Sequence, residues 1–139
     1  MNESESIRTM LGMPPRTIAV VGLSEDAAKP SHYVPAYLQQ QGYRILPVNP
    51  SVETVLGEKS YASLTELVAA GHRPDVVNVY RLPKFIPDIV DEMLRLGLEN
   101  LWVQLGIVNA EAAARAEAGG IHVVMDRCIM VEHKRLVMG

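Results

Sequence analysis

A chain of 139 residues, 48% hydrophobic and 21% charged, can bury its own core and has a globular rather than a disordered composition. Thirteen Lys and Arg against sixteen Asp and Glu leave a net charge of −3, which argues against nonspecific nucleic-acid or anionic-membrane binding. A single cysteine excludes a disulfide framework and a multi-cysteine zinc site, and no apolar run approaches the ~20 residues of a membrane span.

In chain order, residues 1–12 are expected to form a short amphipathic helix, with Ile7, Met10 and Leu11 at helical spacing and Gly12 at its end. This polar start lacks a signal-peptide apolar region, so a reducing compartment, most simply the cytoplasm, is expected. After Met13-Pro14-Pro15, Thr17–Val21 is a β-branched and apolar run stopped by Gly22, as in a strand of a parallel sheet covered on both faces. A polar loop follows from Leu23 to Ser31. Val34, Tyr37 and Leu38 then mark a helix ended by Gly42, with Pro35 expected in or near its first turn, where proline is best tolerated.

Residues 43–48 read as a second strand, ended by Asn49-Pro50, and Ser63-Leu64-Thr65-Glu66 as a capping box opening a helix to about Ala70. Residues 75–79 read as a third strand. Ile86, Ile89, Val90, Met93 and Leu94 keep the spacing of a core-facing helix closed by Gly97. Residues 101–105 form the expected fourth strand, ending at Gly106, and Asn109 caps an alanine-rich helix to Ala118, stopped by Gly119-Gly120. Residues 121–124 are the fifth strand; the tail from Arg127 is a short C-terminal element of unassigned type. This alternation predicts an α/β, Rossmann-like, doubly wound parallel sheet of about five strands in three layers, one domain over residues 1–139.

In such sheets ligands bind beyond the carboxyl ends of the strands. That rule selects Gly22-Leu23-Ser24 with Lys29-Pro30-Ser31, Val48-Asn49-Pro50, Tyr80-Arg81-Leu82-Pro83, Gln104-Leu105-Gly106 and Asp126-Arg127-Cys128. Gly22 lets the backbone approach a ligand, and the following helix start, with Lys29, Ser24 and Ser31, suits a phosphate; the plainer alternative is a turn in a solvated loop. Arg81, after an apolar strand, is expected in the crevice as a fork for phosphate or carboxylate rather than as an idle loop arginine. Trp102 is expected in the core. Gln104 either binds a ligand or caps a neighbouring loop.

The usual dinucleotide fingerprint is absent. The first loop has no G-x-G-x-x-G, and Asn49 stands where an acidic ribose-binding residue is expected, so both weigh against NAD. No phosphate-binding P-loop motif occurs. Cys128, His122 and Asp126 raise the prospect of a nucleophile, but His122 falls inside a strand and Cys128 several residues later, and a lone cysteine is usually a small buried hydrophobe. His32, His72, His122 and His133 are scattered singly without metal-ligand spacing. No catalytic or metal residue is assigned.

Six segments in register, Val20-Val21-Gly22-Leu23-Ser24, Lys29-Pro30-Ser31-His32, Pro47-Val48-Asn49-Pro50, Val79-Tyr80-Arg81-Leu82-Pro83, Trp102-Val103-Gln104-Leu105-Gly106 and Met125-Asp126-Arg127-Cys128, resemble the small single-domain CoA-binding proteins of bacteria and archaea. That family is similar to the N-terminal CoA-binding domain of the succinyl-CoA synthetase alpha subunit. The likeness runs from about Arg16 to Val137. It implies a Rossmann-like fold holding CoA at Gly22, Leu23 and Ser24, at Val48, Asn49 and Pro50, at Tyr80, Arg81 and Pro83, and at Gln104 and Gly106. Leu23-Ser24-Glu25 does not reproduce the synthetase's threonine–glycine feature, and its phosphohistidine domain, nucleotide-grasp domain and partner subunit have no counterpart in these residues.

The resemblance therefore implies a ligand, coenzyme A or an acyl-CoA, without a reaction: a binding module, carrier or sensor. The alternatives are a small enzyme acting on a CoA thioester through Cys128, Asp126 or Arg127, and a binder of another nucleotide such as NAD. Expected partners are a small molecule, not nucleic acid or membrane; an edge strand or helix offers a place for a homodimer or a partner protein.

Overall fold

The computed structural model describes residues 2–138. Its elements run α1 (Glu3–Met10), β1 (Thr17–Val21), α2 (Pro30–Gln40), β2 (Arg44–Val48), a hairpin of β3 (Thr54–Val55) and β4 (Glu58–Lys59), α3 (Leu64–Ala69) and β5 (Val76–Val79). A single 3₁₀ turn at Pro83–Phe85 leads into α4 (Ile86–Leu96), followed by β6 (Asn100–Val103), α5 (Ala110–Ala118), β7 (His122–Met125) and α6 (Ile129–Met138). None of the described helices is long and apolar enough to cross a membrane.

The five apolar runs pair into one parallel sheet in the order β2-β1-β5-β6-β7. The chain first steps outward from β1 to β2, then crosses back to β5 on the other side of β1. That reversal opens a crevice between the loops after β1 and β5. The strands end flush, with Val48, Val21, Val79, Val103 and Met125 in register. Asn49, Gly22, Tyr80, Gln104 and Asp126 therefore emerge side by side along the carboxyl rim.

Successive strand residues point to opposite faces, which splits the core in two. Ile18, Val20, Ile45, Val76, Trp102 and Val124 pack under α1, α2 and α6. Ala19, Val21, Leu46, Val77, Val79 and Val103 pack under α3, α4 and α5. Trp102 is fully buried, as the sequence predicts, and its indole N–H donates to the Arg127 carbonyl at 2.9 Å.

The caps follow the sequence with one variation. Ser63 accepts the Glu66 N–H at 3.1 Å, but the Glu66 carboxylate reaches back to the Ala62 N–H, one residue before the cap. Asn109 accepts the Ala112 N–H at 3.0 Å, and Gly97, with φ 70°, closes α4. The tail from Arg127 proves to be mostly helix, α6, docked on α2.

Two expectations need correction. The helix begins at Pro30, so Pro35 lies inside α2 rather than near its first turn. Proline has no N–H to give to the carbonyl four residues back, and that carbonyl, on Ser31, accepts the Ser24 N–H at 3.0 Å instead. The fourth strand stops at Val103, leaving Gln104 and Leu105 in the rim loop.

At the outer edge, Pro47 lies on β2, where its missing N–H breaks no ladder bond. Its carbonyl accepts the Tyr61 N–H at 3.1 Å, and the Asn49 N–H donates to the Tyr61 carbonyl at 2.8 Å.

A cation-bearing cleft on the carboxyl rim

The rim is built around a close backbone crossing. Gly22 has φ 91°, and a Cβ there would lie 2.7 Å from the Tyr80 carbonyl oxygen, so only glycine lets the loops after β1 and β5 pass this closely. The next residue, Leu23, turns its side chain wholly into the core and offers only backbone at the rim. Its carbonyl accepts the Asn49 side-chain N–H at 3.0 Å, while the Asn49 side-chain oxygen accepts the Ser51 N–H at 2.9 Å. Asn49 thus joins the ends of β1 and β2.

From Ser24 to Lys29 the chain folds on local turns. The Ser24 hydroxyl accepts the Asp26 N–H, the Asp26 carboxylate accepts the Ala28 N–H, and His32 Nδ1 donates to the Ser24 carbonyl at 2.7 Å. These bonds aim the start of α2 at the crevice. Lys29 is its N-cap, exposed and making no side-chain cap, and the first turn carries no carboxylate. The positive end of the helix therefore meets no carboxylate from its own first turn.

Across the crevice, Pro83 winds the loop after β5 into its 3₁₀ turn and brings positions 81 and 85 together. The Arg81 guanidinium lies over the Phe85 ring, 4.2 Å from its centre. Lys84 Nζ stands 5.2 Å from the centre of the same ring.

Three hollows follow one another along this rim. One of about 500 Å³ lies between the start of α2 and the loop after β5, lined by Lys29, Pro30, Ser31, Tyr80, Arg81, Leu82, Phe85 and Ile107. Arg81 and Phe85 also wall a slot of about 170 Å³, whose lining includes Val48, Pro50, Ala62, Leu64 and Ile89. Pro50 and Ala62 in turn border a third hollow of about 460 Å³ beside the β3–β4 hairpin. The charged groups of the largest are Lys29 and Arg81, and neither joins an ion pair among the described residues. Carboxylates enter only beyond Arg81, where Asp88 and Glu92 line the slot. Glu92 accepts both the N–H and the hydroxyl of Thr65, at 2.9 and 2.6 Å.

The remaining sequence candidates divide. Lys29, Pro30, Ser31, Val48, Pro50, Tyr80 and Arg81 line these hollows directly; Gly22, Leu23, Ser24 and Asn49 shape the loops, Asn49 also bordering the hairpin hollow. Pro83 turns the chain, and its carbonyl accepts the Asn109 side-chain N–H at 3.0 Å. Gln104 takes the loop-capping role: it is 5% exposed, and its side-chain oxygen accepts the Ile129 N–H at the start of α6. Gly106, with φ 86°, donates to the Asp126 carboxylate at 2.7 Å, and Asp126 is itself left-handed at φ 62°. The loops after β5, β6 and β7 are thereby tied together.

Tyr80 lines the cleft and packs against the α1–α2–α6 core, and its hydroxyl is buried without a partner. Burial first, and Cys128 nearby second, hold that hydroxyl well above its usual pKa of 10. Cys128 packs against the α1–α2–α6 core, and His122 lies at the opposite end of β7. No group of three His, Cys, Asp or Glu among the described residues could hold a metal.

Sequence reasoning missed Phe85 and Ile107. Phe85 is the chain's one phenylalanine, and its four-residue spacing from Arg81, with Pro83 between, was the available signal. Ile107 sits in a loop with no pattern to mark it.

A doubly wound parallel sheet whose crevice lies at the point where strand order reverses defines a Rossmann-like domain. The chain belongs to the CoA binding domain family, whose model matches residues 16–134. An uncharacterized protein of Bacillus subtilis, YneT, is 40% identical over 118 residues, 85% of each chain. The structure of cell-free ID.343 from Thermus thermophilus superposes with a TM-score of 0.84 at 41% identity, covering 98% of this chain and 99% of that one. An ADP-forming acetate–CoA ligase of Archaeoglobus fulgidus is 30% identical over an alignment of 90 residues that covers 61% of this chain and 12% of the ligase.

Proposed function

We propose that this chain binds coenzyme A or an acyl-CoA across the carboxyl rim, as a carrier, sensor or partner module rather than as a catalyst. One observation carries the reading: the largest rim hollow has apolar walls, and its two charged side chains, Lys29 and Arg81, are unpaired cations on opposite sides of a crevice at the strand reversal. A pyrophosphate between them meets the start of α2 from one side and a guanidinium fork from the other. We assign the purine to the slot beyond Arg81, where Val48, Pro50, Leu64 and Phe85 supply apolar and aromatic walls. We place the protein in the cytoplasm, as a single domain with a small-molecule partner.

Catalysis by Cys128, Asp126 or Arg127 has less support. Asp126 is bonded to the Gly106 N–H, Arg127 pairs with Glu3 and Glu132, and Cys128 is half-buried against the core. The test is mass spectrometry of protein purified without denaturation, followed by thermal shift with CoA and NAD. A co-purifying CoA species, or a rise in melting temperature with CoA that NAD does not match, supports the reading. No retained CoA species and no shift with CoA overturns it.

A further inference from the structure

The cleft does not end at its cations. On the side of Lys29 and Arg81 away from β2, its wall continues into the loop after β6, and there it becomes apolar and open to water. Leu82, 62% exposed, and half-buried Ile107 line the cleft here, and on either side of Ile107 in the same loop Leu105 is 63% exposed and Val108 52%. Isolated exposed apolar residues need no explanation, but these share two adjoining loops. Those loops are held in place by the Asn109–Pro83 and Gly106–Asp126 hydrogen bonds.

We infer that this apron is the acyl subsite: the ligand is a thioester carrying an aliphatic chain, and the chain lies on Leu82, Leu105, Ile107 and Val108. The inference rests on the CoA reading above. With a purine in the slot beside β2 and the pyrophosphate between Lys29 and Arg81, an arm that continues along the rim runs toward β6, past Leu82 and Ile107, which wall the cleft on that side. A free thiol makes no use of such a surface, whereas an alkyl chain buries it along with its own methylenes.

Titration calorimetry with CoA, acetyl-CoA and octanoyl-CoA tests this, on the native chain and on the double variant Leu105→Ser, Val108→Ser. Both positions are exposed, so the fold tolerates the change. We expect octanoyl-CoA to bind about tenfold more tightly than CoA, ~1.4 kcal/mol, equivalent to burying about two methylenes. The double variant should lose that gain and keep its affinity for CoA. Equal affinities across the series, or a variant that weakens CoA and octanoyl-CoA alike, overturns the acyl subsite and leaves CoA binding standing. Failure of every member to bind overturns both.

Discussion

The guanidinium of Arg81 lies over the ring of Phe85, and this one pair lines both the cationic cleft and the slot beside β2. The contact holds the guanidinium at the border of both hollows without engaging it in an ion pair among the described residues.

Arg81→Ala should therefore weaken CoA by about tenfold to a hundredfold, the range for losing a charge-assisted hydrogen bond. Arg81→Lys should recover only part of this, because an ammonium keeps the charge but not the fork or the stacking. Lys29→Ala, at an exposed position, should cost less. All three losses should shrink at high salt. Calorimetric titration at two ionic strengths reads them out; affinity unchanged in both alanine variants would remove these side chains from the site.

Gly22→Ala should destabilise the fold by about 2 kcal/mol or more, since it combines a left-handed φ with a backbone contact that cannot yield. Chemical denaturation measures this directly. The same change at Gly106, left-handed but with open space around it, should cost less.

At the other end of the rim, Asp126→Asn should be close to neutral, because asparagine tolerates φ 62° and still offers an oxygen to the Gly106 N–H. Asp126→Val should cost about 2 kcal/mol or more, by forcing a β-branched residue into that conformation and leaving the N–H without its acceptor. Denaturation midpoints of the two variants separate the outcomes.

Stability should also fall in mild acid through His133. The residue is 4% exposed, with Nδ1 2.8 Å from the Tyr37 hydroxyl and the Tyr43 ring packed edge-on. Burial favours the neutral imidazole and lowers its pKa below 6.5. The unfolded chain then binds the proton more tightly than the folded one. Folding is accordingly unpenalised above the unfolded value and progressively disfavoured as pH falls through it toward the folded value. Denaturation midpoints between pH 7.5 and 5 should decline less steeply in His133→Gln than in the native chain.

Much of this architecture was legible because glycine and asparagine punctuate it. Val21-Gly22 and Leu96-Gly97 mark true element ends, and Asn109 is a true cap. The β3–β4 hairpin was not legible: its strands have two residues each, and its turn places Leu56 at φ 54° before Gly57 at φ 75°. Leucine carries no turn signal; the position is held by tertiary contact, the Gln39 side chain donating to the Leu56 carbonyl at 2.9 Å. Pro35 misled for a similar reason, since propensity counts a missing donor but cannot see that Ser24 replaces it. Within the site, the residues that follow each strand could be found by rule. Phe85 and Ile107 depend on how loops fold back, and Gln104 on the arrival of α6.

Pro47 bears on self-association. With no amide hydrogen at that position, and with its carbonyl and the neighbouring amide of Asn49 already taken by Tyr61, the β2 border offers little to an incoming strand. Any assembly that lengthened the sheet by joining two copies would have to do so at β7, beside α1, leaving the slot on the far border open to solvent in every copy.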